Sequence, residues 1–346
     1  MKAKSVTFWA GIAVSAVVLA VCAVNIYRIV YDRKIPNFRG KTDIYVYPET
    51  VPGDIIDTLS AGGHIRNEAS LRRMFRKEGA ALSVKPGHYV VDSTLTSAYV
   101  SRMLRHGWQT PVKLTLSGSI RSPKVLARKI GSQMMVDSAA VADFVYCKDS
   151  IARYGVDTTG FFTMVIPDTY QIWWTSSTRE IFDALKAARD AWWTSERKQK
   201  AKKIGLTEYE VSVLASIVDG ETRYVPEMPK IACVYLNRLK SGMKLQACPT
   251  VTYLYGYTLR RVLKVHLQTQ SPYNTYINFG LPPGPISCPS KDCLEAVLNP
   301  DPGDYLYFCA DYRFNGTNVF ASSYSEHLQN ARRYQEALTR RQREGK

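Results

Sequence analysis

Residues 207–221 read Thr-Glu-Tyr-Glu-Val-Ser-Val-Leu-Ala-Ser-Ile-Val-Asp-Gly-Glu. Thr207 and Glu210 are spaced as a capping box, in which a hydroxyl and a carboxylate three residues on satisfy the free N–H groups that open a helix. The helix they open sets Leu214, Ile217, Val218 and Glu221 at i, i+3, i+4 and i+7, so one apolar stripe ends in a carboxylate. Asp219 stands about 200° round the helix from Glu221 and is expected to face elsewhere. Burial at the end of such a stripe disfavours the charged carboxylate and should raise its pKa from the usual value of about 4.3. A glutamate kept protonated near neutrality can give its proton to a leaving oxygen, as glycosidase acids do. The helix alone favours a terminal acid that simply reaches water, since most glutamates lie at the surface.

The flanking segments favour the chemical alternative. Ser271-Pro-Tyr-Asn-Thr-Tyr276 and Gly280-Leu-Pro-Pro-Gly-Pro-Ile286 are rigid, rich in amides and hydroxyls, and interleaved with tyrosine, whose ring faces stack on sugars. Asn237, Gln246 and Asn274 are natural partners for acetamido and hydroxyl groups, although each could instead complete the core as a buried amide. No phosphate-cradling glycine loop, zinc motif or G-x-S-x-G elbow occurs. Further helices are expected at Ile231–Leu239 and near Asp292–Leu298, a strand at Tyr305–Ala310, and a basic final helix beginning at Glu326-His327.

Towards the N-terminus the texture changes. Val6–Ile26 carries no charge, and at 1.5 Å per residue it spans about 30 Å, the thickness of a bilayer core. An uncleaved membrane helix over 6–27 is expected, preceded by a short cytoplasmic tail (1–5) and followed by a basic linker (28–41). Lysines and arginines flank both ends, so local charge does not set the orientation. Strand Asp43–Tyr47, helices Val51–Ser60 and Glu68–Lys77, and strand His88–Val91 follow in the order of a LysM-like module over 42–111, a type that often grips N-acetylated glycans; a structural spacer has the same order. A strand at Val112–Leu116 and helices at Pro123–Gly131, Ser138–Tyr146 and Ser177–Trp193 make 112–203 a largely helical linking region before the 204–346 domain. The basic run Arg197–Lys203 is expected to be a solvated helix face.

Composition bounds the partners. The 346 residues are 45% hydrophobic and 22% charged, which excludes wholesale disorder and implies two or three folded units. A net charge of +16 favours an anionic surface nearby, whether membrane, nucleic acid or acidic wall polymer. Of seven cysteines, Cys288 and Cys293 could close a short disulfide loop or stay buried as thiols.

Taken together, Leu214–Thr222, Ile231–Leu239, Gly242–Gln246, Pro249-Thr-Val251, Ser271–Tyr276 and Gly280–Ile286 strongly resemble the MltG (YceG-like) family of membrane-anchored endolytic murein transglycosylases. The resemblance extends over the N-terminal helix, the LysM-like unit and Pro167-Asp-Thr-Tyr170. It implies an α+β chain that cuts the β-1,4 bond between N-acetylmuramic acid and N-acetylglucosamine in nascent peptidoglycan strands and so ends their elongation. By the same resemblance Glu221 is the catalytic acid and then base, the muramyl C6 hydroxyl attacks C1, and a 1,6-anhydro end is left without metal or organic cofactor. The expected substrate-binding set is Asn237, Gln246, Thr250, Tyr253, Ser271, Tyr273, Asn274, Thr275 and Tyr276. Expected partners are glycan strands, membrane lipid and peptidoglycan synthases (penicillin-binding proteins), with the catalytic part in the periplasm and no role for nucleic acid. Cys248 stands where the family usually has aspartate, and Asp219 where glutamate is common. Three competing readings remain at this point: a catalytically silent glycan-binding scaffold, a tethered nucleic-acid binder, and a thiol hydrolase pairing Cys248 with His327.

Overall fold

The computed structural model describes residues 2–343, with side chains from residue 9 onward. Its elements in chain order are α1 (Lys2–Lys34), β1 (Lys41–Val46), α2 (Pro52–Ala61), α3 (Glu68–Lys77), β2 (Gly87–Asp92), α4 (Ser97–His106), β3 (Val112–Thr115), α5 (Pro123–Gly131), α6 (Ser138–Tyr146) and α7 (Lys148–Ala152). After these come β4 (Thr169–Ile172), α8 (Thr178–Trp192), α9 (Ser195–Lys203), α10 (Glu208–Glu221), α11 (Met228–Lys240), α12 (Cys248–Leu254), α13 (Lys291–Leu298), β5 (Tyr307–Ala310), β6 (Asn318–Ala321) and α14 (Tyr324–Arg343). The architecture is mixed α+β, in two compact units.

Unit 1 comprises the chain up to Lys113 and the short return Gln171–Ser176. Trp9–Lys34 is apolar enough to cross a membrane, with a mean hydropathy of 2.2. The helix does not end where the linker is expected at residue 28: it runs unbroken through Lys34. Nothing in Arg28–Lys34 breaks a helix, and Pro36 stops it by restricting the residue before it. Asp32, 6% exposed, anchors this last turn through Arg73 at 2.7 Å and Ser70 Oγ at 2.6 Å. Strands β1 and β2 pair antiparallel from Lys41↔Asp92 to Val46↔Gly87, with α2 and α3 between them in sequence. Their inward residues meet Ile55, Ile56, Leu59, Leu71 and Phe75 in one core, which Phe38 enters from the segment after α1. Helix α4 was not anticipated, although its signals are ordinary: Thr96 caps Tyr99 N–H, and Gly107 closes the helix in the left-handed conformation. Trp174 packs its ring against Tyr45 and Tyr47 at 5.1 and 4.8 Å.

Unit 2 comprises Leu114–Tyr170 and the chain from Ser177 onward, and α10 lies at its centre. The capping box of Thr207 and Glu210 is present in both directions. A single apolar stripe was expected, yet every residue from Val211 to Asp219 is buried. The reason is packing: α10 contacts α9, α11, α12 and α13, so each of its faces has a neighbour. Ser216 is accommodated there by donating to Val213 O and accepting from the Ile286 N–H. Strands β5 and β6 form an antiparallel hairpin, Tyr307↔Ala321 to Ala310↔Asn318, on which α14 packs. Cys288 and Cys293 are buried free thiols rather than a disulfide.

Candidate active site

Helix α10 delivers Glu221 as its last residue, half-buried at the wall of a cleft of about 270 Å³. Tyr235, one face of α11 away, donates its hydroxyl to Glu221 Oε1 at 2.6 Å. Arg238, one turn further along α11 and 8% exposed, lines the same cleft. Its guanidinium donates to the carbonyls of Leu306 (2.7 Å) and Leu245 (2.6 Å), so it contributes charge to the cleft while its N–H groups hold backbone. Burial pushes the Glu221 carboxyl up to about 7, against the opposing pull of the Tyr235 hydrogen bond and the Arg238 charge. A carboxyl raised into this range can both give and take a proton near neutrality.

The cleft is completed by Leu245, Gln246, Cys248, Tyr276, Phe308 and His327. Gln246 is held at φ +53°, a left-handed conformation rare outside glycine, and its N–H is fixed to Thr275 O at 3.1 Å. Cys248 Sγ and the Tyr276 hydroxyl share a hydrogen bond of 3.0 Å. Desolvation, with the Glu221 charge adding to it, pushes the Cys248 thiol up, the opposite of what a nucleophilic thiolate needs. His327 reaches the cleft from α14 and stacks on Tyr307, ring centroids 5.3 Å apart. Burial and then the Arg238 charge hold its pKa below the ordinary histidine value, and its buried Nδ1 has no hydrogen-bond partner among the described residues.

A second recess, about 550 Å³, also has Glu221 in its wall, together with Arg223, Tyr224, Phe314 and Tyr334 among others. Glu221 thus stands where two hollows meet. Asp311 also lines this recess, but Arg313 engages both its oxygens, at 3.0 Å through Nε, and holds its carboxyl below the usual range. Asp219 turns away as expected, 3.7 Å from Arg223 and against Cys293.

Of the residues anticipated as substrate contacts, Gln246 and Tyr276 share the cleft with Glu221. The others serve elsewhere. Asn237 donates to the carbonyls of Gly303 and Tyr305, and fully buried Asn274 to those of Leu267 and Thr269. Thr250 and Thr275 are buried and bonded to each other at 2.9 Å, and Ser271 Oγ accepts from Tyr273 N–H. Tyr253 and Tyr273 pack together at 4.8 Å, and Tyr253 lines a separate cavity of about 700 Å³ beside Tyr257. These side chains build the loops that present the cleft. Tyr235, Arg238 and Phe308 were not anticipated; Tyr235 and Arg238 lie in the Ile231–Leu239 segment, which was expected only as a helix.

The family model described as the YceG-like family matches residues 44–333. The chain is 42% identical over 137 residues to an endolytic murein transglycosylase of Bacillus subtilis, covering 40% of this chain and 38% of that protein. It is 30% identical over 227 residues to an endolytic murein transglycosylase of Streptococcus pneumoniae, covering 64% of this chain and 40% of that one. The chain thus spans about two fifths of the length of these relatives. In fold it is similar to the crystal structure of a yceG-like protein from Listeria monocytogenes, with a TM-score of 0.55 at 24% identity, over 84% of this chain and 98% of that one.

Proposed function

The chain belongs to the YceG-like family, and from that premise we propose that it is an endolytic lytic transglycosylase of peptidoglycan with Glu221 as its acid and base. The observation that carries this is one carboxyl, pushed up to about 7, at the junction of two recesses. A glycan strand lying across both recesses would be cut internally rather than from an end. Glu221 gives its proton to the oxygen leaving C1 as the glycosidic bond breaks. The C6 hydroxyl of the same muramyl residue bonds to C1 and returns its proton to Glu221, so no water is consumed and the acid is regenerated. Hydrolases commonly need a second carboxylate to activate water or the sugar; an internal nucleophile makes that group unnecessary, which agrees with Asp311 being taken up by Arg313.

Gln246 and Tyr276 are the substrate-binding side chains of this proposal, with the His327 ring beside them in the cleft wall. The apolar α1 anchors the chain in the cytoplasmic membrane with its folded units on the outer side, beside the synthases that supply new strands. The βααβ order of unit 1 supports a LysM-like grip on the same polymer.

The test uses the full chain in detergent, as wild type and Glu221→Gln, with purified peptidoglycan and mass spectrometry of the products. Wild type is expected to yield anhydromuramyl ends, about 18 Da lighter than reducing ends because water is not added. Glu221→Gln should lower the rate by about 10²–10⁴-fold. Reducing ends would replace transglycosylation by hydrolysis and direct attention to Asp311. Binding without any cleavage would make the protein a scaffold.

A further inference from the structure

Where α1 meets α3, unit 1 holds an open crevice of about 400 Å³. Arg28 and Arg33 from α1 and Arg73, Arg76 and Lys77 from α3 line it, with Asp32 the one carboxylate in its wall. Asp32 is already taken up by Arg73 at 2.7 Å. Arg33 lies 3.9 Å from Glu78, which Arg102 holds more closely at 3.0 Å. Arg28, Arg76 and Lys77 have no carboxylate within ion-pair distance among the described residues. Lys77 lies within electrostatic reach of Asp32 and Glu78, yet five cations around one hollow with a single carboxylate in its wall repel one another, and an anion seated between them removes that repulsion.

The depth of the crevice indicates which anion. The charge-free stretch of α1 ends at Tyr27, and Trp9 lies about 27 Å below it along the helix, close to the thickness of a bilayer core. Tyr27 and Tyr31 pack at 5.9 Å where aromatic side chains collect at a membrane–water boundary. Asn25, Arg28 and Ile29 all line the crevice, so it straddles the end of the charge-free stretch. That is the level of lipid phosphates. Arginines at the end of any spanning helix reach towards headgroups, but here α3 supplies most of the cations, and α3 is locked to α1 through Asp32 and Ser70.

We propose that this crevice seats the phosphate of an anionic phospholipid headgroup from the leaflet that faces the folded units. The site rests on α1 being a bilayer-spanning helix. It is tested on the full-length chain in a zwitterionic detergent, by native mass spectrometry with phosphatidylglycerol or phosphatidylcholine added. Arg76→Gln combined with Lys77→Gln should bind the first phosphatidylglycerol about thirty-fold more weakly, from roughly five-fold per cation removed. Arg28→Gln, on the other helix, should weaken it about five-fold. Lys202→Gln with Lys203→Gln removes equal charge from α9 and should change nothing; phosphatidylcholine should bind weakly and alike to all variants. Equal loss in the α9 control, or no loss in the α3 variant, would overturn the site. So would inorganic phosphate alone forming an adduct that only the α3 variant loses, since the crevice would then hold soluble phosphate. Partition of the wild-type chain into water in a detergent phase separation would sink the anchor itself, independently of any lipid preference.

Discussion

Glu221 and Tyr235 form the smallest unit whose chemistry can be measured. The Tyr235 hydroxyl stabilises the charged carboxylate and so holds the pKa of Glu221 lower than burial alone would set it. With the carboxyl at about 7, the acid form required by the proposed reaction is lost as pH rises, and the rate should fall tenfold per unit well above pH 7. Tyr235→Phe removes the stabilisation of the anion, raises that pKa, and should move the alkaline limb of kcat/KM upward by about one unit. A limb that stays in place would show that the tyrosine only packs. The place of Glu221 at the end of a capped helix was legible in the sequence, because the capping box of Thr207 and Glu210 fixes where that helix begins. Its environment was less so: Tyr235 sits at a position whose periodicity says core, and it is core, with only its hydroxyl reaching the site. Asn237 and Asn274 show the converse, since an amide that fixes a loop and one that holds a sugar read alike until their partners are known.

At the scale of elements, the junction of α10 with α12 decides where Glu221 points. Gly220 has no side chain because Pro249, at the start of α12, occupies the space: a Cβ there would lie 2.5 Å from Pro249 Cβ. Glycine to alanine inside a helix ordinarily stabilises by about 0.5–1 kcal/mol. Here Gly220→Ala should instead destabilise by about 1–3 kcal/mol through overpacking. It should also lower kcat more than it raises KM, because α12 carries Cys248 into the cleft beside Glu221. Urea denaturation and steady-state kinetics check the two halves of this prediction. Most helices were legible from period and caps: α3, α5 and α6 occupy the expected residues. Helix α12 was not, because its seven residues hold too few turns for a period to register. Strand β6 was not anticipated either, although it closes the hairpin that sets Phe308 in the cleft wall.

For the whole molecule, the question is where the folded part begins. A fragment starting at Lys41 matches the end of the expected linker, yet it deletes Phe38, fully buried, and Asn37, whose amide bonds Ser97 Oγ and Asn67 O at 2.8 Å. A fragment starting at Ile35 should therefore be more stable in its first unit than one starting at Lys41, by about 3 kcal/mol or more. Equal urea midpoints for the two fragments would refute this. The +16 charge leaves membrane, nucleic acid and wall polymer open in the sequence, and only the fold shows that α1 and α3 gather five of the cations around one crevice. Because α1 enters unit 1 as an unbroken helix pinned at Asp32, an anchor formed by it would have a phase as well as a length. One residue inserted near Asn25 would turn the lower part of the helix about 100° and displace it about 1.5 Å, with no slack to absorb either change. Four inserted residues would nearly restore the angle while adding about 6 Å. Any neighbour in the bilayer that recognises one face of this helix thereby fixes the compass bearing of unit 1 above it.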